Sequence, residues 1–139
     1  MDRETLQGAL PEYFAPWVQA LGLRVEAFDA DSVTLRLPQG AQLSRVGGML
    51  CGQAMMAAAD TAMVLALINQ FGAFRPCTTV QMNTSFLKPL AGQDALVQAR
   101  VLRSGRTIGI ACTTASTASW GWVSSPWLWR TSVLDMGSS

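Results

Sequence analysis

The sequence predicts an α+β fold in which one long buried helix is wrapped by an antiparallel β-sheet. Residues 54–68 form the longest apolar run, rich in alanine, methionine and aliphatic side chains, with a single carboxylate, Asp60, inside it. The segments on both sides of this run alternate apolar and polar residues, which is the period of half-buried strands. No repeat or low-complexity linker divides the 139 residues, so we expect one domain over residues 1–139.

The N-terminal segment, residues 1–20, is predicted to be helical and to be split by its prolines. Its apolar residues recur at helical spacing: Leu6, Leu10, Phe14 and Trp17. Two prolines, Pro11 and Pro16, interrupt this pattern. Residues 23–38 then predict two strands, because Val33, Leu35 and Leu37 alternate with polar residues and "DADS" supplies a turn.

The central helix is predicted to follow a glycine-rich loop at residues 39–52 and to end near Gly72, which suits a left-handed C-cap. Three strands are predicted next, at residues 77–89, 94–103 and 107–117, the last two joined by a compact turn around Ser104 and Gly105. The C-terminal tail, residues 120–139, is atypical because it holds four of the five tryptophans. It is expected to add an edge strand that ends at about Pro126.

Composition excludes several kinds of chemistry. The chain has no histidine, so Ser–His and Cys–His nucleophiles and histidine metal ligands are ruled out. Three cysteines without CxxC spacing predict neither a disulfide framework nor a zinc site, and reduced thiols suit a cytoplasmic protein. We expect no metal and no cofactor.

Charge and hydropathy argue against nucleic-acid and membrane partners. The net charge is +1, which gives no general attraction to polyanions. The apolar run is shorter than the roughly 20 residues that a membrane span needs, and the N-terminus does not resemble a signal peptide. Six of the ten basic residues nevertheless lie from Gly72 onward, beside only two acids, and this asymmetry suits an anionic ligand.

The central helix is itself a candidate site. The amides of Gly52, Gln53 and Ala54 in its first turn have no intrahelical acceptor, and the helix dipole adds partial positive charge there. That end can polarise a carbonyl oxygen. Asp60 lies eight residues further on, about 12 Å along the axis, so a shared reaction centre needs two antiparallel helices from two subunits. Alternatively, Asp60 is a structural group that bonds backbone amides or a serine across the core, and Cys51 is a buried thiol rather than a nucleophile.

The sequence resembles the hotdog-fold acyl-CoA thioesterases of the phenylacetate (PaaI-like) and 4-hydroxybenzoyl-CoA type. The resemblance covers about residues 20–119 and rests on "CGQAMMAAADTAMVLA" and "TTVQMNTSFLKPLAGQDALVQARVLRSGRTIGIACTTAS". The family pattern is His-Gly-Gly with an acid nine positions after the histidine, which places Cys51-Gly52-Gln53 at the His-Gly-Gly positions. Val46-Gly47-Gly48 matches the glycines better but misses this spacing by five residues.

This resemblance implies a role for each matching residue. Asp60 becomes the catalytic carboxylate, as nucleophile or as base for water, and the Gly52 N–H polarises the thioester carbonyl. The residues implied to bind substrate are Gln53, Thr61, Asn83, Lys88, Arg103 and Arg106. The two arginines are implied to meet coenzyme A phosphates, although a solvated basic turn would look the same in sequence.

The sequence leaves three functions to be compared. The resemblance implies hydrolysis of an acyl-CoA or related thioester by a homodimer or homotetramer with sites at the subunit interface. A non-catalytic acyl-CoA-binding hotdog protein is the alternative, since Cys51 and Gln53 depart from the family pattern. A hotdog hydratase or dehydratase is disfavoured, because those enzymes pair the acid with a histidine and this chain has none.

Overall fold

The computed structural model describes residues 1–86, 89–117 and 127–135. Its main feature is a six-stranded antiparallel sheet with one long helix, α3 (Gly52–Phe71), packed against it. The strands of this sheet are β1 (Arg24–Phe28), β2 (Ser32–Leu37), β5 (Cys77–Phe86), β6 (Ala95–Ser104), β7 (Ile108–Thr117) and β8 (Trp127–Asp135). They lie in the order β1-β2-β6-β7-β8-β5, and α3 packs mainly against β2 and β6. The α+β class and the helix wrapped by an antiparallel sheet are confirmed.

Helix α3 spans Gly52–Phe71 and begins and ends where the sequence predicts. Gly72 takes a left-handed conformation (φ 73°), and its N–H donates to the Ile68 carbonyl, because only glycine adopts this geometry without steric cost. Among the described residues, α3 is the one helix long and apolar enough to span a membrane, but 61% of that stretch is buried inside the protein. It is the core helix that the sequence indicates.

The two predicted hairpins are confirmed. Strands β1 and β2 are joined at "DADS", where the Asp29 N–H donates to the Ser32 carbonyl at 3.0 Å. Strands β6 and β7 are joined around Gly105, whose N–H donates to the Ile108 carbonyl at 2.9 Å. Each turn closes its own backbone hydrogen bonds, so local sequence is enough to predict it.

The N-terminal segment forms α1 (Arg3–Tyr13) and α2 (Pro16–Gln19). The predicted split occurs at Pro16, which starts α2, but Pro11 lies inside α1. Pro11 is two residues from the end of α1, so its missing N–H removes one hydrogen bond from the last turn only. The glycine-rich loop also holds more structure than predicted: a short 3-10 helix (Ala41–Leu43) and a two-stranded hairpin of β3 (Ser44–Arg45) and β4 (Met49–Leu50).

The edge strand predicted to end at about Pro126 falls on residues outside the described part of the chain, and the strand that follows Pro126 was not predicted. Strand β8 begins after Pro126, and it is interior: it pairs with β7 on one side and β5 on the other. Its sequence, "WLWRTSVLD", is rich in aromatic and β-branched residues that favour strands. With β8 inserted, β5 becomes an edge strand of the sheet. Residues 118–126 lie outside the described part of the chain.

Candidate active site

Asp60 lies on the side of α3 that the sheet does not cover. It is half-buried, and Gln53 and Met56, which precede it on the same helix face, are exposed. These residues open onto a cleft of about 480 Å³. The cleft is lined by the apolar residues Phe14, Trp17, Val18, Met56, Ala57 and Met82 and by the polar residues Gln53, Asp60, Thr61 and Thr79.

The Asp60 carboxylate is held by a threonine from the edge strand. The Thr79 hydroxyl donates to Asp60 Oδ1 at 2.6 Å, and no other hydrogen bond to this carboxylate comes from the described residues. One side-chain bond fixes the orientation of the carboxylate and leaves Oδ2 for a reaction partner. The structural alternative, in which Asp60 bonds backbone amides or a serine across the core, also fits a bond to a threonine hydroxyl, although no backbone amide of the described residues donates to Asp60.

Thr79 reaches Asp60 because β5 contains a β-bulge. The register with β8 shifts between Thr79 and Gln81, so Val80 is the extra residue. In a regular strand Thr79 and Met82 would face opposite sides, whereas here both line the cleft. The alternation of residues in β5 therefore does not predict that Thr79 meets Asp60. The one signal available was the pair of hydroxyl residues at the start of the strand, Thr78 and Thr79.

The start of α3 offers free backbone donors. Cys51 is its N-cap and provides no side-chain capping bond, so the first amides of the helix keep unused N–H groups. The chain is fixed just before this point, since the Cys51 N–H donates to the Leu43 carbonyl and the Leu50 N–H to the Leu90 carbonyl, both at 2.8 Å. Gly52 is half-buried and Gln53 exposed, which leaves the helix start accessible to a carbonyl group.

The other sequence-predicted residues are only partly brought together. Gln53 and Thr61 line the cleft with Asp60, but Thr61 is buried and its hydroxyl donates to the Ala57 carbonyl at 2.8 Å. Asn83 is exposed and alternates with Met82 and Thr84, so it lies on the face away from the cleft. Lys88 lies outside the described residues.

Arg103 and Arg106 lie together at the β6–β7 turn. Both are exposed, and they line one surface depression of about 400 Å³ with Gly105, Thr107, Ile108 and Ile110. Neither forms an ion pair with another described residue. Two adjacent guanidinium groups with free donors form a suitable surface for phosphate groups.

A separate ionic network stabilises the opposite part of the sheet. Arg36 bonds Glu26 at 2.7 Å and Asp94 at 3.3 Å. The hydrogen bond from Arg36 lowers the pKa of Glu26. The pKa of Asp94 is lowered by the Gln39 backbone N–H and, in addition, by Arg36. None of these groups lines the Asp60 cleft, so we assign them to structure. No group of three His, Cys, Asp or Glu side chains that could hold a metal ion occurs in residues 1–86, 89–117 or 127–135.

Comparison with known proteins gives one match to a family model. Residues 47–114 match the model of the Thioesterase superfamily, a segment that includes α3, Asp60 and both arginines. The match spans 68 of the 139 residues, and together with the fold described above it makes the chain similar to the hotdog-fold members of this superfamily. No curated protein matches the chain in sequence.

Solved structures share the whole architecture. Thioesterase HI1161 from Haemophilus influenzae is 19% identical with a TM-score of 0.85, over 99% of this chain and 92% of that one. The PaaI protein of the Escherichia coli phenylacetic acid degradation operon is 20% identical with a TM-score of 0.81, over 99% and 95%. A mutant of thioesterase PA1618 from Pseudomonas aeruginosa is 22% identical with a TM-score of 0.81, over 96% and 93%. At these identities the likeness shows the fold alone.

Proposed function

We propose that this protein hydrolyses an acyl-CoA, or a related acyl thioester, to the free acid and the thiol. The observation that carries the proposal is Asp60, a carboxylate fixed by Thr79 on the core helix and open to a mostly apolar cleft. An oriented acid beside an apolar cleft suits attack on an acyl group.

In the proposed mechanism the thioester carbonyl binds at the start of α3. The Gly52 N–H donates to the carbonyl oxygen and stabilises the negative charge that develops during attack. Asp60 either attacks the carbonyl carbon itself or takes a proton from the water that attacks it. In the first route the C–S bond breaks as an acyl–Asp60 anhydride forms, and water then hydrolyses this anhydride to the free acid. In the second route the C–S bond of the tetrahedral intermediate breaks, and the proton held by Asp60 passes to the leaving thiolate. The hydrogen bond from Thr79 keeps Asp60 in one orientation through these steps.

The proposed site needs two subunits. Gly52 and Asp60 of one chain are about 12 Å apart along the helix, which is too far for one small reaction centre. Strand β5 is an edge strand of ten residues, and Val80 on it is 63% exposed, so its free edge favours pairing with another strand. A two-fold axis perpendicular to β5 would pair two such edges antiparallel and set the two α3 helices antiparallel. We therefore propose a homodimer, or a homotetramer built from it.

A screen of thioesters tests the proposed function. Short, medium and aromatic acyl-CoAs are incubated with the full-length protein, and release of free thiol is measured. We expect hydrolysis of at least one class. If acyl-CoAs bind but no thiol is released, the non-catalytic alternative is correct, which the departures at Cys51 and Gln53 would then explain.

The two turn arginines are predicted to bind the phosphates of coenzyme A. The Arg103→Ala/Arg106→Ala variant should raise KM for acyl-CoA at least tenfold and leave kcat within about twofold, because contacts remote from the thioester bind ground and transition states alike. Steady-state kinetics checks this, and acyl-pantetheine, which lacks the nucleotide phosphates, should show no change. Arg24→Ala, an exposed arginine on β1, is the matched control. An unchanged KM would mean that the two arginines belong to a solvated turn and do not bind coenzyme A.

We place the enzyme in the cytoplasm. The proposal rests on the odd number of cysteines without a disulfide pattern and on a substrate carrier, coenzyme A, that is charged and water-soluble. Fractionation of cells that produce the full chain would test this assignment.

A further inference from the structure

The N-terminal helices supply an aromatic wall to the Asp60 cleft. Phe14, Trp17 and Val18 line it opposite the α3 residues. Trp17 is 63% exposed, a high value for the largest apolar side chain. A large aromatic side chain gains no stability from exposure to water, so its exposed position beside a carboxylate indicates a binding surface.

This wall is rigid. The Gln19 side-chain amide donates to the Phe14 carbonyl at 2.8 Å and closes the turn between α1 and α2. The ring of Tyr13 stacks on that of Phe74 at 4.0 Å and 6°, which ties the end of α1 to the segment that follows α3. Gln7 bonds the Leu23 carbonyl and the Val25 N–H and fixes α1 to β1. The backbone that carries Trp17 is therefore held relative to α3 and β1 by its neighbours.

We propose that Trp17 is the specificity-determining residue of the cleft and limits the length of the acyl chain that it accepts. This inference rests on the proposed thioesterase function. The described lining contains no Lys or Arg, so a carboxylated acyl group would lack a counter-ion there. The matching substrate class is an apolar acyl thioester, whose chain gains by burial against Trp17, Phe14 and the α3 methionine.

The test compares Trp17→Ala with Phe28→Ala. Phe28 is an exposed aromatic on β1 that does not line the cleft. The ratio of kcat/KM for lauroyl-CoA to that for butyryl-CoA should rise about tenfold or more in Trp17→Ala, because removing the ring opens space for the longer chain. Trp17→Phe should lie between the wild type and Trp17→Ala, Phe28→Ala should keep the wild-type ratio, and succinyl-CoA should be a poor substrate for all. An unchanged ratio in Trp17→Ala would overturn the proposal.

Binding separates this inference from the proposed hydrolysis. Calorimetry with the same acyl-CoAs compares Asp60→Asn with Asp60→Asn/Trp17→Ala, neither of which needs to turn over substrate. If the ratio of the Kd for lauroyl-CoA to the Kd for butyryl-CoA differs between these two variants, the role of Trp17 is supported even if the wild type hydrolyses nothing. If chain length has no effect on Kd in either variant, Trp17 does not determine specificity. The same conclusion follows if light scattering shows that Trp17→Ala dissociates the subunits and all activities fall equally.

Discussion

Asp60→Asn is expected to lower kcat by a factor on the order of 10²–10⁴, the usual scale for a positioned acid–base group. Asparagine keeps the size of the side chain and can still accept the hydrogen bond from Thr79, which is 2.6 Å long. It removes the charge and the basicity that attack on a thioester needs. No other acid lines the cleft among the described residues, so no described neighbour can substitute.

Thermal stability separates a catalytic Asp60 from a structural one. Asp60 is half-buried and opens onto the cleft, so neutralising it should change the melting temperature little. If Asp60 is structural, the result should be the reverse: the bond from Thr79 would lose its charge assistance, stability would fall, and the folded fraction would keep its activity. Melting temperature and kcat are measured on one preparation. Asp31→Asn is the control, since Asp31 pairs with Arg100 on the surface at 2.6 Å and lies outside the cleft.

Gly52→Pro is expected to lower kcat by about 10²–10³, the cost of losing one oxyanion donor. Proline deletes the N–H that is proposed to polarise the thioester carbonyl. The substitution suits the fold, because Gly52 is the first residue of α3, where proline is favoured. Cys51 before it is already extended, at φ −71° and ψ 145°, as a residue preceding proline must be.

Gly52→Ala is the matched control because alanine retains the N–H. It should keep kcat near the wild-type value, and both variants should show the same helical circular dichroism. If Gly52→Pro is folded and fully active, the carbonyl is polarised by another donor and the assignment of the helix start is wrong.

Much of the fold could be predicted from local sequence. The apolar run, Gly72 and the "DADS" turn each carry their own physical reason for the structure they adopt, and all three occur as predicted. The tail shows the limit of such reasoning. Whether β8 is an edge or an interior strand depends on which strands it pairs with, and pairing between distant segments leaves little trace in one sequence.

The candidate site also has residues that local sequence indicates and residues that depend on distant pairing. Asp60 and Gly52 could be proposed from the sequence because the helix geometry and the family spacing both point to them. Thr79 could not, since a one-residue bulge at Val80 reverses which side of β5 it faces. Trp17 was expected as a helical apolar residue, but its place in the Asp60 cleft depends on how α1 and α2 pack against α3.

The central claim is that each active site combines the helix start of one subunit with Asp60 of the other, and subunit mixing tests it most directly. Asp60→Asn and Gly52→Pro are each nearly inactive alone, and light scattering first establishes that both are dimers. In a heterodimer of the two, one site carries both substitutions and the other carries neither. Random exchange should therefore restore about a quarter of the wild-type activity. Activity that stays at the sum of the two separate variants, after exchange has been verified, would contradict a shared site.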